Sequence, residues 1–184
     1  LMSSKITIIG AGSVGSTIAY TLANDDIASE IVLIDINKEK VEGEVMDIAQ
    51  GTCFRDPVSI KSGEYEDAKD SDIVIITSGI ARKPGQTRIE LTQTNVNILK
   101  SITPEIVKAA PNALYIIVSN PVDIMTYVFT KIRFRYPSGF CAASFWFVRA
   151  FQSGSEKYSR IRIWRAWRYF LYSVDRRLHI RRKY

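Results

Sequence analysis

A glycine-rich turn, Gly10-Ala-Gly-Ser-Val-Gly15, most constrains how this chain can fold. The apolar, β-branched run Lys5–Ile9 before it predicts a buried strand, and Ser16–Leu22 after it has the spacing of a helix. A second predicted strand, Ile31–Ile34, leads directly into Asp35, twenty residues after the last glycine. This order of strand, turn, helix, strand and acid is the fingerprint of a dinucleotide-binding unit.

Each conspicuous residue of that unit has a physical role. Gly10 allows the tight turn, Gly12 lets the backbone approach a pyrophosphate, and Gly15 lets the helix pack closely on the strand. The amino terminus of the helix then offers free N–H groups and the positive end of its dipole to the phosphates. Asp35 would accept hydrogen bonds from ribose hydroxyls and repel a 2′-phosphate, which predicts NAD rather than NADP. The alternative is a glycine turn in an unrelated α/β protein.

The residues that follow, as far as 132, read as alternating strands and helices. Such alternation predicts an α/β fold with a doubly wound, mostly parallel sheet and helices on both faces. Ligands bind such sheets at the carboxyl ends of the strands, where residues 10–15, 77–88 and 119–123 should meet. Thr103-Pro104 predicts a bend in the long helix over residues 89–110, or its division in two. The predicted elements are helix 38–50, strand 59–62, strand 73–76, helix 89–110, strand 113–118 and a helix over 124–131.

Four motifs resemble those of the L-lactate/malate dehydrogenase family. They are Gly10–Gly15, Ile31-Val-Leu-Ile-Asp35, Arg82-Lys-Pro-Gly-Gln-Thr-Arg88 and Asn120-Pro-Val-Asp123, and the resemblance covers about residues 4–132. It implies a Rossmann-type NAD-binding domain over residues 1–132, nearest overall to bacterial L-lactate dehydrogenases. The implied chemistry is reversible, NAD-dependent hydride transfer to or from a small 2-hydroxy or 2-keto acid.

The same resemblance assigns roles to residues at the strand ends. Arg88 matches the catalytic arginine that polarises the substrate carbonyl, and Asn120 matches the residue that hydrogen-bonds the substrate oxygen beside the nicotinamide. The alternatives without a functional role are that Arg88 is a solvated loop residue and that Asn120 is the asparagine of an Asn-Pro turn. The loop from Gly79 to Arg88 suits a hinged lid. Further positions that line the NAD cleft in the family are Val14, Lys40, Tyr65, Gly79, Ser101 and Ser119, although Lys40 and Ser101 also fit ordinary exposed helix positions.

Arg82 bears on the choice of substrate. In the family this position is typically Gln in lactate enzymes and Arg in malate enzymes, because a second arginine can pair with a second carboxylate. The surrounding segments Gly43–Asp47, Gln86–Arg88 and Thr126–Phe129 resemble bacterial lactate dehydrogenases instead. Lactate is therefore the preferred substrate, with malate as the alternative.

The chain changes character after Ile132. Residues 1–132 hold 12 Lys and Arg against 17 Asp and Glu, whereas residues 133–184 hold 13 against 2. The family's second domain, with its catalytic His in Gly-Glu-His-Gly-Asp, has no counterpart here, and the single histidine, His179, has no acidic neighbour to match. We therefore expect weak NAD binding at most and no turnover. The alternative from another functional class is a catalytically silent NAD-binding module.

The genetic code offers an explanation for the basic, aromatic-rich tail. Tryptophan has one codon, so a shift of one base converts Trp164 and Trp167 into glycines with two residues between them. With permitted codons, the same shift over Ser159–Tyr169 yields Gly-Glu-His-Gly-Asp, the missing motif. Only the two glycines are forced by the code. The hypothesis is that residues from about 133 are an out-of-frame translation and not a native domain.

Composition also bears on partners and compartment. Cys53 and Cys141 lack metal or redox spacing, which indicates a reducing, cytoplasmic setting, and we expect no metal. No signal peptide or membrane-spanning run is evident. The basic stretch 160–172 could bind nucleic acid or an anionic membrane, but the preferred reading has neither partner. The resemblance implies a homo-oligomer, built partly through the missing half, so it does not extend to the assembly of this chain.

Overall fold

Five short apolar segments form one parallel sheet in the computed structural model, which describes residues 4–25, 27–52, 57–81 and 84–133. Each strand is followed by a helix or a 3₁₀ turn, as the alternating pattern predicts. The elements are β1 (Lys5–Ile9), α1 (Ser13–Asn24), β2 (Glu30–Ile34), α2 (Lys38–Gly51), β3 (Ser59–Ser62), a 3₁₀ turn (Tyr65–Ala68), β4 (Ile73–Ile76), α3 (Arg88–Ala109), β5 (Leu114–Ile117) and α4 (Val122–Arg133).

The strand order is β3-β2-β1-β4-β5, and every pair is parallel. β1 lies at the centre, where Ile8 is opposite Leu33 of β2 and Ile75 of β4. The chain moves outward from β1 to β3 and then returns to place β4 on the other side of β1. This reversal leaves a crevice between the carboxyl ends of β1 and β4, the place where doubly wound sheets bind dinucleotides.

The helices lie on both faces of the sheet. Right-handed crossovers put α1 and α2 on one face, and the reversed direction of β4 to β5 puts α3 on the other. The contacts agree, because α1 packs against α2 while α3 packs against α4. The prediction of a doubly wound α/β fold is confirmed.

One hydrophobic cluster of the core lies under α3 and α4. Phe129 and Met125 of α4 are completely buried there, and the Phe129 ring lies 4.9 Å from that of Tyr115. The Tyr115 hydroxyl is within hydrogen-bonding distance of the carbonyls of Ile106 (3.0 Å) and Ala110 (2.8 Å), so it caps the end of α3. Burial raises the pKa of Tyr115 far above its usual value, so the phenol stays protonated and keeps its proton for that bond.

The predicted element boundaries differ from the observed ones by a few residues at most. Two other details, the continuity of α3 and the exposure of Met46, differ from what the sequence pattern indicates. α3 is one helix despite Pro104, so the predicted division is wrong. The proline deprives the carbonyl of Lys100 of its helical donor, but Lys100 lies on the exposed side of the helix, where water can replace that donor. Met46 belongs to the apolar pattern of α2 but is 61% exposed, because α2 buries mainly Val41 and Ile48.

Several predictions concern residues outside the described part of the chain. Among them are the substrate-discriminating Arg82, both cysteines, His179 and the tail from residue 134 onward. Within the described residues, no helix is both long and apolar enough to cross a membrane. The same residues contain no cluster of three His, Cys, Asp or Glu side chains that could hold a metal ion.

Candidate functional site

The glycine turn occupies the space between β1 and α1 with almost no room to spare. Gly10 has φ +107°, a backbone conformation that side chains other than glycine rarely adopt. A Cβ added to Gly15 would lie 1.8 Å from the carbonyl oxygen of Gly10, so α1 can start this close to β1 only with glycine at that position. The tight turn and the close packing predicted for these two residues are both present.

The opposite holds at Gly12, which is the N-cap of α1. A Cβ added there would meet no atom within 4 Å, so the backbone faces open space. No side chain of the described residues caps α1, and its first turn has no acidic residue. The N–H groups and dipole of the helix are therefore available to an anion, and a pyrophosphate group fits this position.

Asp35 lies directly against the turn. Its Oδ2 accepts a hydrogen bond from the backbone N–H of Ala11 at 2.7 Å, and its Oδ1 accepts one from Asn37 at 3.1 Å. Each carboxylate oxygen keeps further acceptor capacity, since an ionised carboxylate has about four lone-pair sites. The next residue, Ile36, is 95% exposed and provides an apolar surface beside the carboxylate of Asp35.

The exit of β4 is fastened to the glycine turn. The Thr77 hydroxyl is 2.9 Å from the carbonyl of Gly10 and 3.2 Å from that of Ile9, and the N–H of Ser78 donates to Ile9 at 3.0 Å. The Oγ of Ser78 is buried and has no partner among the described residues. The carboxyl ends of β1 and β4 therefore form one rigid edge of the crevice.

The exit of β5 is fastened to the exit of β4 in turn. The buried Ser119 hydroxyl lies 2.7 Å from the carbonyl of Ser78 and 3.2 Å from that of Ile76. The side chain of Asn95 on α3 bridges the two exits: it accepts from the N–H of Ile80 at 2.8 Å and donates to the carbonyl of Asn120 at 2.9 Å. The expected convergence of residues 10–15, the segment after 77 and the segment after 119 is confirmed.

Arg88 begins α3 and is exposed. The helix start is fixed by a capping box, in which Thr87 accepts from the N–H of Glu90 at 3.2 Å and Glu90 accepts from the N–H of Thr87 at 3.1 Å. Its backbone is thus held in place while the guanidinium extends into solvent. Asn120 is also exposed, at the beginning of the turn that contains the cis peptide bond Asn120–Pro121.

Four of the remaining predicted positions are Val14, Gly79, Lys40 and Tyr65, and the fifth, Ser101, lies far from Arg88 along α3. Val14 and Gly79 are exposed at the carboxyl edge, and Lys40 is exposed in the first turn of α2. Burial, and then the negative charge of Asp35, raise the pKa of Tyr65, so its phenol remains a donor close to that acid. Ser101 differs, because it lies about 20 Å along α3 from Arg88 and its hydroxyl donates to Ile98. Roles for these side chains toward a cofactor stay predictions.

Two residues of this edge were missed by the sequence analysis. Thr77 holds the glycine turn, and Asn95 holds both loop exits. Asn95 was detectable in principle, because it interrupts the apolar stripe of α3 at a position four residues after Leu91 and four before Leu99. A polar residue in a buried stripe needs partners, and only 2% of the Asn95 surface is exposed.

Comparison with known protein families gives one match over most of the chain. Residues 4–138 match the family described as lactate/malate dehydrogenase, NAD binding domain. The matched region contains every described residue and ends a few residues beyond α4.

Curated relatives match over a similar length. The chain is 56% identical over 130 residues to L-lactate dehydrogenase 1 of Clostridium acetobutylicum, which covers 71% of this chain and 42% of the relative. It is 57% identical over 130 residues to L-lactate dehydrogenase of Clostridium perfringens strain SM101, with 71% and 41% covered. The chain therefore spans about two-fifths of the length of the relatives it matches.

Solved structures give the same picture. The minor L-lactate dehydrogenase of Enterococcus mundtii superposes with a TM-score of 0.69 at 42% identity, covering 71% of this chain and 42% of that one. A lactate dehydrogenase, MGS-M5, from a Medee basin deep-sea metagenome library superposes with a TM-score of 0.68 at 40% identity, covering 72% and 43%.

Proposed function

Because this chain belongs to the lactate/malate dehydrogenase family, we propose that it is the NAD-binding part of an L-lactate dehydrogenase. The observation that carries the proposal is the contact between Asp35 and the glycine turn, beside the uncapped start of α1. This arrangement offers acceptors to a ribose and donors to a pyrophosphate side by side, as a dinucleotide requires. When bound, NAD supplies the acceptor or donor of a hydride.

In this proposal the two halves of the cofactor lie at the ends of different strands. Asp35 follows β2, on one side of the crevice, so the adenosine ribose belongs there. The nicotinamide then crosses to the exits of β4 and β5, where Asn120 lies and where Arg88 starts the next helix. In this proposal Asn120 orients the oxygen of a 2-keto acid, and Arg88 stabilises the negative charge that develops on it.

The first test concerns cofactor choice. We expect the chain to bind NADH at least about tenfold more tightly than NADPH, because the Asp35 carboxylate repels a 2′-phosphate. Asp35→Asn keeps an acceptor for Ala11 but removes the charge, so it should weaken NADH binding about tenfold and leave NADPH binding nearly unchanged or improved. The preference for NADH over NADPH should become smaller but should not reverse. Lys38, the nearby cation that could attract a 2′-phosphate, is already paired with Glu64. Fluorescence titration with both nucleotides measures these affinities.

Asp47→Asn is the matched control, because Asp47 is an exposed carboxylate on α2. It should bind both nucleotides as the unmodified chain does. Equal affinity of the unmodified chain for NADH and NADPH would contradict the role of Asp35, and no affinity for either nucleotide would contradict the proposed function.

The second test concerns the substrate. We propose pyruvate and lactate on the strength of the relatives, with oxaloacetate and malate as the alternative that Arg82 supports. Residues 1–132 joined to the remaining part of the C. acetobutylicum enzyme should reduce pyruvate faster than oxaloacetate, measured as NADH oxidation. In that chimera Arg82→Gln should lower activity toward oxaloacetate at least about tenfold, because it removes a bidentate partner for the second carboxylate. Faster reduction of oxaloacetate by the unmodified chimera would favour the malate alternative.

The remaining parts of the proposal concern the chain as a whole. We propose that residues 1–132 form the domain and that the tail is an out-of-frame translation, so the chain itself should bind NADH without reducing pyruvate. A cytoplasmic location and a small 2-keto acid as the partner follow from the same reading. Nucleic acid and membrane partners are not part of it.

A further inference from the structure

We propose that Asn95 is a positioning residue, which holds the exits of β4 and β5 in the relative placement that the nicotinamide half of the cofactor requires. The inference rests on the proposed function, because it assigns that half to this edge. Asn95 lies on α3, one face of which packs into the core, and its amide is directed at two loops. Among the described residues, the only other side chain that we find joining the two loops is Ser119, whose hydroxyl donates to the carbonyl of Ser78.

The Asn95 amide makes three polar contacts with the two loops. Its Oδ1 accepts from Ile80 N–H at 2.8 Å, and its Nδ2 donates to the carbonyl of Asn120 at 2.9 Å and approaches that of Ile80 at 3.4 Å. A Cβ added to Gly79 would lie 3.5 Å from Oδ1, so the loop rests directly on the amide. One side chain therefore fixes a donor and an acceptor of the β4 exit and an acceptor of the β5 exit.

This placement has a cost that packing alone does not explain. An asparagine that is 2% exposed lies in the apolar stripe of α3, four residues before the buried Leu99. Ile80, by contrast, is 45% exposed, so burial does little to hold its loop. The contacts of Asn95 with the N–H and the carbonyl of Ile80 therefore fix where the loop runs.

The consequence concerns Asn120, whose backbone carbonyl is the group that Asn95 holds. If that carbonyl is released, the peptide at the β5 exit can rotate, and the Asn120 side chain loses its orientation. The adenosine end, at Asp35 and the glycine turn, shares no hydrogen bond with Asn95 and should be unaffected. Loss of Asn95 should thus weaken binding of the whole dinucleotide but not of its adenosine half.

The test uses the full chain, with NADH and AMP as probes in calorimetric titrations. Asn95→Asp keeps the acceptor for Ile80 but turns a second oxygen toward the carbonyl of Asn120, so we expect NADH affinity to fall about tenfold and AMP affinity to stay within about twofold. The control is Asn97→Asp, two residues along α3 on the exposed side, where no change in either affinity is expected.

A pH profile separates positioning from a general loss of structure. The groups that face the amide from both loops are backbone N–H and carbonyl groups, which do not titrate. When the new carboxyl of Asn95→Asp is protonated it can donate to Asn120 again, so its NADH affinity should recover as pH falls, relative to the unmodified chain and to Asn97→Asp. Equal weakening of NADH and AMP, or no recovery at low pH, would overturn the positioning role.

Hydrogen exchange of the unmodified chain keeps the inference testable if Asn95→Asp does not fold. The amide of Ile80 should exchange much more slowly than expected for an exposed loop, and free exchange of that amide would contradict the inference. Failure of the unmodified chain to bind NADH is a different result, since it would overturn the proposed function while the exchange of Ile80 still reports on the contact.

Discussion

Gly15→Ala should destabilise this protein by roughly 3–5 kcal/mol, at the upper end of what a single added methyl group does. The new Cβ would lie 1.8 Å from the carbonyl oxygen of Gly10, and neither atom can move without shifting α1 away from β1. The same Cβ would lie 3.0 Å from the Thr77 hydroxyl oxygen, so the hydrogen bond of Thr77 to Gly10 would be disturbed as well. Urea unfolding, followed by circular dichroism, measures the loss directly.

Gly12→Ala is the matched control, because Gly12 belongs to the same glycine turn and lies only three residues earlier in the sequence. Its Cβ meets nothing within 4 Å, so stability should change by less than about 1 kcal/mol. NADH binding should nevertheless weaken, because the methyl group occupies the space into which the pyrophosphate fits. A Gly15→Ala variant as stable as the unmodified chain would show that α1 does not start where the structure has it.

Phe129→Ala should cost about 3–5 kcal/mol, the usual range for removing a buried aromatic side chain. Phe129 is completely buried in the cluster under α3 and α4 and lies 4.9 Å from the ring of Tyr115. Its removal leaves a cavity beside the tyrosine that caps α3, so the collapse of neighbouring side chains should be limited. The midpoint of urea unfolding should fall accordingly.

Tyr127→Ala on the same helix provides the comparison. Tyr127 is 64% exposed and contacts Lys131 across its ring at 5.5 Å, so its loss should cost less than about 1 kcal/mol. Equal effects of the two substitutions would mean that α4 does not pack on the sheet through Phe129.

The sequence carries most of the fold because its local signals agree with each other. The β-branched runs of β1 and β4 favour buried strands of a parallel sheet. The spacing from the glycine turn to Asp35 favours parallel pairing of β1 with β2. Division of the helix at Pro104, one of the two outcomes predicted there, does not occur, because the carbonyl that loses its donor is on the exposed side, where water can replace that donor.

The site was less predictable, for a different reason. Gly10, Gly12, Gly15 and Asp35 belong to a pattern that is local in sequence, so their geometry follows from spacing. Asn95 and Ser119 contact backbone groups 15 to 43 residues away, and backbone groups have no signature in a sequence. Such contacts become visible only once the topology has brought the strand exits together.

The burial of Phe129 and Met125 has a consequence for biosynthesis. All five strands leave the ribosome before α4 does, yet the cluster that α4 closes remains open to water until then. A nascent chain of this kind exposes the apolar strands of a parallel sheet for most of its translation, the period in which such sheets are prone to aggregate. Emergence of α4 is therefore the step that removes this cluster from water.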